Sequence, residues 1–137
     1  MIELSVNGVP YKNYTNASAT LSLESMANQF SFTATAVKGF PPFKVGQLVV
    51  VNVNNKKKIT GYIETVSGGV TEGSHSITYA GRDKTGDFID STIDTLDQIL
   101  ASESLTLKKI IELVIAHIGI DLKVVDYLKP APFNPAE

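Results

Sequence analysis

The sequence predicts a mainly β protein with minor α content, a small barrel or sandwich followed by a helical segment. Three observations predict it. Apolar and polar residues alternate in short runs as far as Ala80, strong turn signals separate those runs, and after Ser91 the apolar spacing becomes that of one amphipathic helix.

Ile2, Leu4 and Val6 alternate with polar neighbours and stop at Asn7-Gly8, a turn dipeptide that Pro10 reinforces. Ala19, Leu21 and Leu23 alternate with Ser and Thr, which predicts a second half-buried strand. Phe30, Phe32, Ala34 and Ala36 repeat the pattern, with Ser31, Thr33 and Thr35 on the other face. The run Lys38-Gly39-Phe40-Pro41-Pro42 ends that strand, because proline cannot donate to a ladder and restricts the residue before it. Val45-Gly46 leads into Leu48-Val49-Val50-Val51-Asn52-Val53, apolar on both faces and so expected to be covered on both. Asn54-Asn55 with Lys56, Lys57 and Lys58 reads as a polar hairpin tip. Ile59 to Val66 returns, Ser67-Gly68-Gly69 is expected to turn, and Ser74 to Ala80 forms the strand that delivers Gly81-Arg82.

Beyond Ser91, Leu107, Ile110, Ile111, Val114, Ile115 and Ile118 recur at helical spacing, with Lys108, Lys109 and Glu112 opposite. Thr106 suits the N-cap, Leu105 with Ile110 suits a hydrophobic staple, and Gly119 sits where a left-handed cap belongs. Ile120 to Val125 reads as one more strand, and three prolines from Pro130 to Pro135 give an extended end. The expected organisation is a β domain over residues 1–91, then a helical connection, the start of a second domain and a Pro-rich end over 92–137.

Composition bounds the function. The 137 residues are 43% hydrophobic and 19% charged, an ordinary globular mixture. Fourteen acidic against twelve basic residues give a net charge of −2, which argues against a dedicated or sequence-specific nucleic-acid binder. Absent cysteine excludes disulfides, thiolate metal sites and cysteine nucleophiles. No run approaches the roughly 20 apolar residues of a membrane span. The start, Met-Ile-Glu-Leu-Ser, does not read as a signal peptide, so a soluble cytoplasmic product with no membrane partner is expected.

The acidic run after the last strand is the sharpest candidate for chemistry. Asp83, Asp87, Asp90, Asp94 and Asp97 follow at intervals of 4, 3, 4 and 3, the spacing of one helical face. Convergent carboxylates suit a magnesium site, yet the chain supplies no phosphate-cradling glycines and no partner base. Phe88, Ile89, Ile93 and Leu96 form the opposing apolar face, so an amphipathic turn with a solvated acidic side explains the same spacing. Arg82, the only arginine, is expected to pair with Asp83, Asp87 or Asp90 and pin the strand end to the turn. The two histidines, His75 and His117, have no nucleophile or metal-ligand pattern around them, and the three lysines suit solubility and edge protection. These readings leave no catalytic residue, no metal site and no cofactor. The apolar side of the predicted helix, through Leu107, Ile111, Val114 and Ile118, is wide enough to offer a subunit contact.

The segment Ser74-His75-Ser76-Ile77-Thr78-Tyr79-Ala80-Gly81-Arg82-Asp83-Lys84-Thr85-Gly86-Asp87-Phe88-Ile89-Asp90-Ser91 resembles a signature of the hub proteins of Mu-like phage baseplates. Those hubs carry a similar serine-histidine strand, Gly-Arg-Asp, and an acidic-apolar-apolar-acidic turn closed by a small residue. Looser similarity runs through Ile2 to Gly8, Gln29 to Ala36, Val45-Gly46-Gln47, Gly61-Tyr62-Ile63 and Thr106 to Gly119. Such hubs usually continue into a second tube-like domain, so the chain is expected to be an N-terminal piece or a shortened relative. The resemblance implies a split β-barrel like that of tail-tube subunits, followed by a helix and a strand that start a second domain. It further implies a trimer between tail tube and central spike in the virion tail baseplate, assembled in the bacterial cytoplasm, with no catalytic residues. Two alternatives stand beside it: a metal-dependent enzyme using Asp83, Asp87 and Asp90, and a small glycan- or peptide-binding β module.

Overall fold

The computed structural model describes residues 1–35, 42–71, 74–93 and 106–127. The chain divides into two compact units, Met1–Gly86 and Asp87–Glu137.

The first unit is one antiparallel sheet of seven strands curled into a half-barrel. The strands are β1 (Ile2–Val6), β2 (Val9–Tyr11), β3 (Tyr14–Thr20), β4 (Gln29–Thr35), β5 (Leu48–Val53), β6 (Lys56–Thr71) and β7 (Ser74–Asp83), in the order β2-β1-β5-β6-β7-β4-β3. The expected split barrel is therefore present, with β2 and β3 as its free edges. Near one end a side chain bridges the sheet from β3 to β1, beyond the end of β2: the Tyr14 hydroxyl donates to the Ile2 carbonyl at 2.5 Å.

Turn chemistry sets the hairpins. Asn7 and Gly8 take φ of 49° and 80°, and Asn54 and Asn55 take 51° and 62°, the paired left-handed residues that match strand twist in a two-residue loop. The expected breaker at Lys38 to Pro41 lies outside the described residues. Ser67-Gly68-Gly69 is not a turn. Gly68 pairs with Ile77 and Gly69 with Ser76, and β6 continues to Thr71. Glycine costs a strand some entropy but keeps both backbone groups, so the ladder runs through it.

The inner face holds the core: Leu4, Val6, Phe30, Phe32, Ala34, Val49, Val51, Ile59, Ile63 and Tyr79. Each large side chain buried here contributes about 1.5–3 kcal/mol of transfer free energy. β5 is covered less evenly than its sequence suggests, with Val49 and Val51 buried but Leu48 and Val50 half-buried on the other face. An aromatic cluster fills the bowl. Phe32 stacks on Tyr79 at 5.0 Å, and Phe43 meets Tyr11 edge-on at 4.8 Å. Burial raises the Tyr79 phenol above its ordinary 10.0, although the Phe43 backbone N–H donating to its oxygen works the other way. Tyr11 is raised too, by burial first and by Tyr79 second.

Two bulges adjust β6. The pairing slips between Ile63 and Thr65, where Glu64 is an extra residue, and again at Lys58, between the pairs Val51–Ile59 and Asn52–Lys57. After Glu64 the alternation changes phase: Ile59 and Ile63 face the core, and so does Val66, which sits opposite buried Tyr79. Had the same residues paired without a bulge, Glu64 would lie opposite Ala80 and Thr65 would take that place, because side chains alternate with period two.

The second unit contains α2 (Leu107–Ile118), while α1 (Thr85–Asp90) follows β7 directly. The Thr106 hydroxyl accepts from the Lys109 amide at 3.2 Å, and Gly119 closes α2 at φ 75° with its N–H on the Ile115 carbonyl. Both caps were legible in the sequence; Leu105 of the expected staple lies outside the described residues. Val114 and Ile115 are buried, Ile111 and Ile118 half-buried, and Leu107 exposed. Residues 120–127 are not a strand. They have no ladder partner among the described residues, and the Leu122 amide bonds back to the Ile120 carbonyl at 3.1 Å, a tight local turn that breaks extension.

Candidate functional site at the Gly-Arg-Asp junction

β7 ends at the three residues that the sequence marks, and each has a separate structural task. Gly81 sits between Ile63 of β6 and Phe30 of β4. A Cβ there would lie 1.9 Å from the Tyr62 carbonyl oxygen and 2.8 Å from the Phe30 ring, so only glycine lets the strands approach.

Arg82 faces outward. Its Nη2 lies 2.9 Å from Glu64 Oε1, and its Nε lies 3.0 and 3.1 Å from the two carboxylate oxygens. The sequence placed the arginine's partner among the aspartates. The structure shows it on Glu64, the extra residue of the β6 bulge, a partner that sequence reasoning did not suggest. Gly86 packs behind it, since a Cβ on Gly86 would come within 3.3 Å of the Arg82 side chain.

Asp83 is the last residue of β7 and not a member of a helical face. Its Oδ2 accepts from the Asn28 amide at 3.1 Å and from Asn28 Nδ2 at 2.9 Å. Its Oδ1 accepts from the Thr85 amide at 3.2 Å and also takes the Thr85 hydroxyl. That hydroxyl lies 2.6 Å from the Met26 carbonyl as well. Asp83 thus ties the start of α1 to the loop between β3 and β4.

The loop itself is closely hydrogen-bonded. Ser22 N donates to Asn28 Oδ1 at 3.2 Å, Ser22 Oγ accepts from the amides of Glu24 and Ser25, and Ser25 Oγ donates to the Ala27 carbonyl. Leu21 and Leu23, expected to continue a strand, instead lie past the end of β3 and are exposed, because the chain turns here through these serine bonds.

The acidic face does not form as spaced. α1 spans Thr85–Asp90 only, residues 91–93 are not helical, and Asp94 and Asp97 lie outside the described residues. Asp87 and Asp90 are exposed on α1. Among the described residues no group of three acidic or histidine side chains converges as metal ligands would. Lys56, Lys57 and Lys58 are exposed at the start of β6, and His117 is exposed in the last turn of α2.

Beside Arg82 the outer face is concave and polar, about 300 Å³, lined by Ser18, Gln29, Ser31, Glu64 and Arg82. Ser18 and Ser31 bond each other at 2.8 Å, and Arg82 and Glu64 are mutually paired. These groups hold a sheet together; none stands as a base beside a nucleophile. Sequence reasoning missed Glu64, Asn28 and Thr85. A signal for Glu64 was present, because the apolar positions slip from Ile59 and Ile63 to Val66, an interval of three that announces a bulge. Asn28 gave no local signal, since 55 residues separate it from Asp83, whereas Thr85, two residues beyond Asp83, fits the local turn in which an aspartate accepts from the amide two residues on.

The chain is similar to known proteins in sequence and in fold. The chain is 33% identical over 94 residues to baseplate hub protein gp44 of Escherichia phage Mu, a match covering 65% of this chain and 24% of that protein. Its fold is similar to the crystal structure of the 43 kDa tail protein of prophage MuSo2 from Shewanella oneidensis, with TM-score 0.74 and 29% identity over 95% of this chain and 41% of the other. A tail protein from Neisseria meningitidis MC58 shares the fold at TM-score 0.68 and 19% identity, covering 85% of this chain and 33% of that one. The chain therefore spans about a quarter of the Mu protein's length and less than half of either solved structure. Residues 1–83, strands β1 to β7 up to the Asp83 anchor, match the family model of the Mu phage baseplate assembly protein GpP-like N-terminal domain, and the chain belongs to that family.

Proposed function

We propose that residues 1–91 serve as the tube-like N-terminal domain of a phage or prophage baseplate hub, a structural subunit joining the tail tube to the central spike. The observation that carries this is the family match over residues 1–83 together with the half-barrel likeness to a prophage tail protein. On this reading the protein acts by assembly and not by catalysis. It associates with itself, as a trimer, and with tube and spike proteins in the virion tail baseplate, after folding in the bacterial cytoplasm.

Gly81, Arg82 and Asp83 are then structural residues that fix the end of the barrel, and Asp87 and Asp90 form a solvated turn. Of the α2 residues, Leu107, Ile111 and Ile118 remain available for a subunit contact, whereas Val114, 7% exposed, belongs to the interior of its own unit.

Sedimentation of the purified chain, alone and with the tube and spike proteins of the same phage, tests the reading. Trimers that bind both proteins are expected. A chain that stays monomeric at high concentration and binds neither would sink it.

A further inference from the structure

The loop after β3 exposes Leu21, Leu23 and Met26 to solvent, yet it is fixed by the Ser22, Asn28 and Asp83 hydrogen bonds described above. Apolar side chains held rigidly in water mark a contact surface. Glu24 is the loop's only charge, is exposed, and has no ion pair among the described residues.

A receiving surface exists on the same molecule. Beside β1 and β2 runs a groove of about 720 Å³ whose lining includes Met1, Ile2, Pro10, Tyr11 and Tyr14, with Lys12 exposed on its rim. Lys12 is a positive charge, opposite in sign to the loop's one charge, Glu24. The edges point the same way. β3 offers seven residues without charge or proline, while β2 offers three and contains Pro10, so the β3 side lacks the protection that a permanently free edge carries.

We propose that the Leu21–Met26 loop of one copy seats in the β1–β2 groove of a second copy, with Glu24 against Lys12. The two patches differ, so the contact is head-to-tail and can close a ring. This rests on the self-associating hub reading and names the surfaces that join its subunits.

Full-length variants in analytical ultracentrifugation test it. Leu23→Asp, Glu24→Lys and Lys12→Glu should each weaken self-association about tenfold or more, and the chain carrying both charge changes should recover to within about threefold of wild type. At concentrations where wild type is dissociated, thermal melts should match it, because all three side chains are exposed. If wild type associates but the single variants associate equally well, or the double swap fails to recover, the loop-in-groove contact is overturned while the hub reading stands. If wild type is monomeric throughout, both are overturned.

Discussion

Glu64 reaches Arg82 across the β6–β7 ladder at 2.9 Å because, as the neighbour of inward-facing Ile63, it projects from the outer face. It is also the extra residue of the β6 bulge, beyond which Val66 faces inward opposite Tyr79. The pair is about a third exposed on both sides, so solvent screens it, and it contributes no more than about 1 kcal/mol. In urea unfolding, Arg82→Ala and Glu64→Ala should each cost about 1 kcal/mol, with a coupling below that in the double-mutant cycle. Deleting Glu64 removes the bulge but leaves Ile63 opposite Gly81, Thr65 opposite Ala80 and Val66 opposite Tyr79, so it should cost about as much as Glu64→Ala. A deletion that costs more than about 3 kcal/mol would refute this register.

Asp83 should matter more than Arg82. Its carboxylate accepts four hydrogen bonds, from Asn28 and Thr85. Asp83→Ala leaves those donors without their acceptor and should cost about 2–3 kcal/mol. Hydrogen exchange should rise in residues 22–28 and at the start of α1. Unchanged protection in that loop would show that it is held by other means.

Gly81 and Gly68 lie in neighbouring strands and should respond in opposite ways. Gly81→Ala drives a methyl into the Tyr62 carbonyl and the Phe30 ring, so the ladder must move or break, at a cost above about 3 kcal/mol. At Gly68 nothing lies within 4 Å of a Cβ, and alanine there should be neutral or stabilising by about 0.4–1 kcal/mol through the unfolded state. Paired thermal melts decide the matter, and equal losses at the two sites would contradict the close approach at Gly81.

The contrast between those glycines also explains what the sequence made legible. Asn7-Gly8, Asn54-Asn55, Thr106 and Gly119 act through residues beside them, so their turns and caps could be read locally. Ser67-Gly68-Gly69 carries the composition of a turn, but β7 on one side supplies a complete ladder that overrides it. The Gly-Arg-Asp segment was recognisable as a unit, whereas its mechanism was not. Arg82 draws on a bulge residue 18 positions away and Asp83 on an asparagine 55 positions away, distances over which spacing carries no information. The predicted strand at Ile120 to Val125 failed for a related reason, because alternation alone forms no strand without a neighbour to pair with.

Alkaline pH should weaken the fold through the aromatic bowl. Burial raises the phenols of Tyr79 and Tyr11 above their ordinary 10.0, so the folded chain keeps protons that the unfolded chain has already released. The unfolded state then binds fewer protons, and stability falls as pH rises. It is fully present below about pH 10 and declines from there toward the folded-state values. Tyr79 is fully buried, and its oxygen accepts only a long 3.4 Å bond from the Phe43 amide. Tyr79→Phe should therefore cost no more than about 1 kcal/mol at pH 7 and should reduce the alkaline slope, leaving the part due to Tyr11. Urea unfolding between pH 8 and pH 11.5 measures both quantities. If the variant loses stability with pH as steeply as the wild type, the buried phenol of Tyr79 is not the group that titrates.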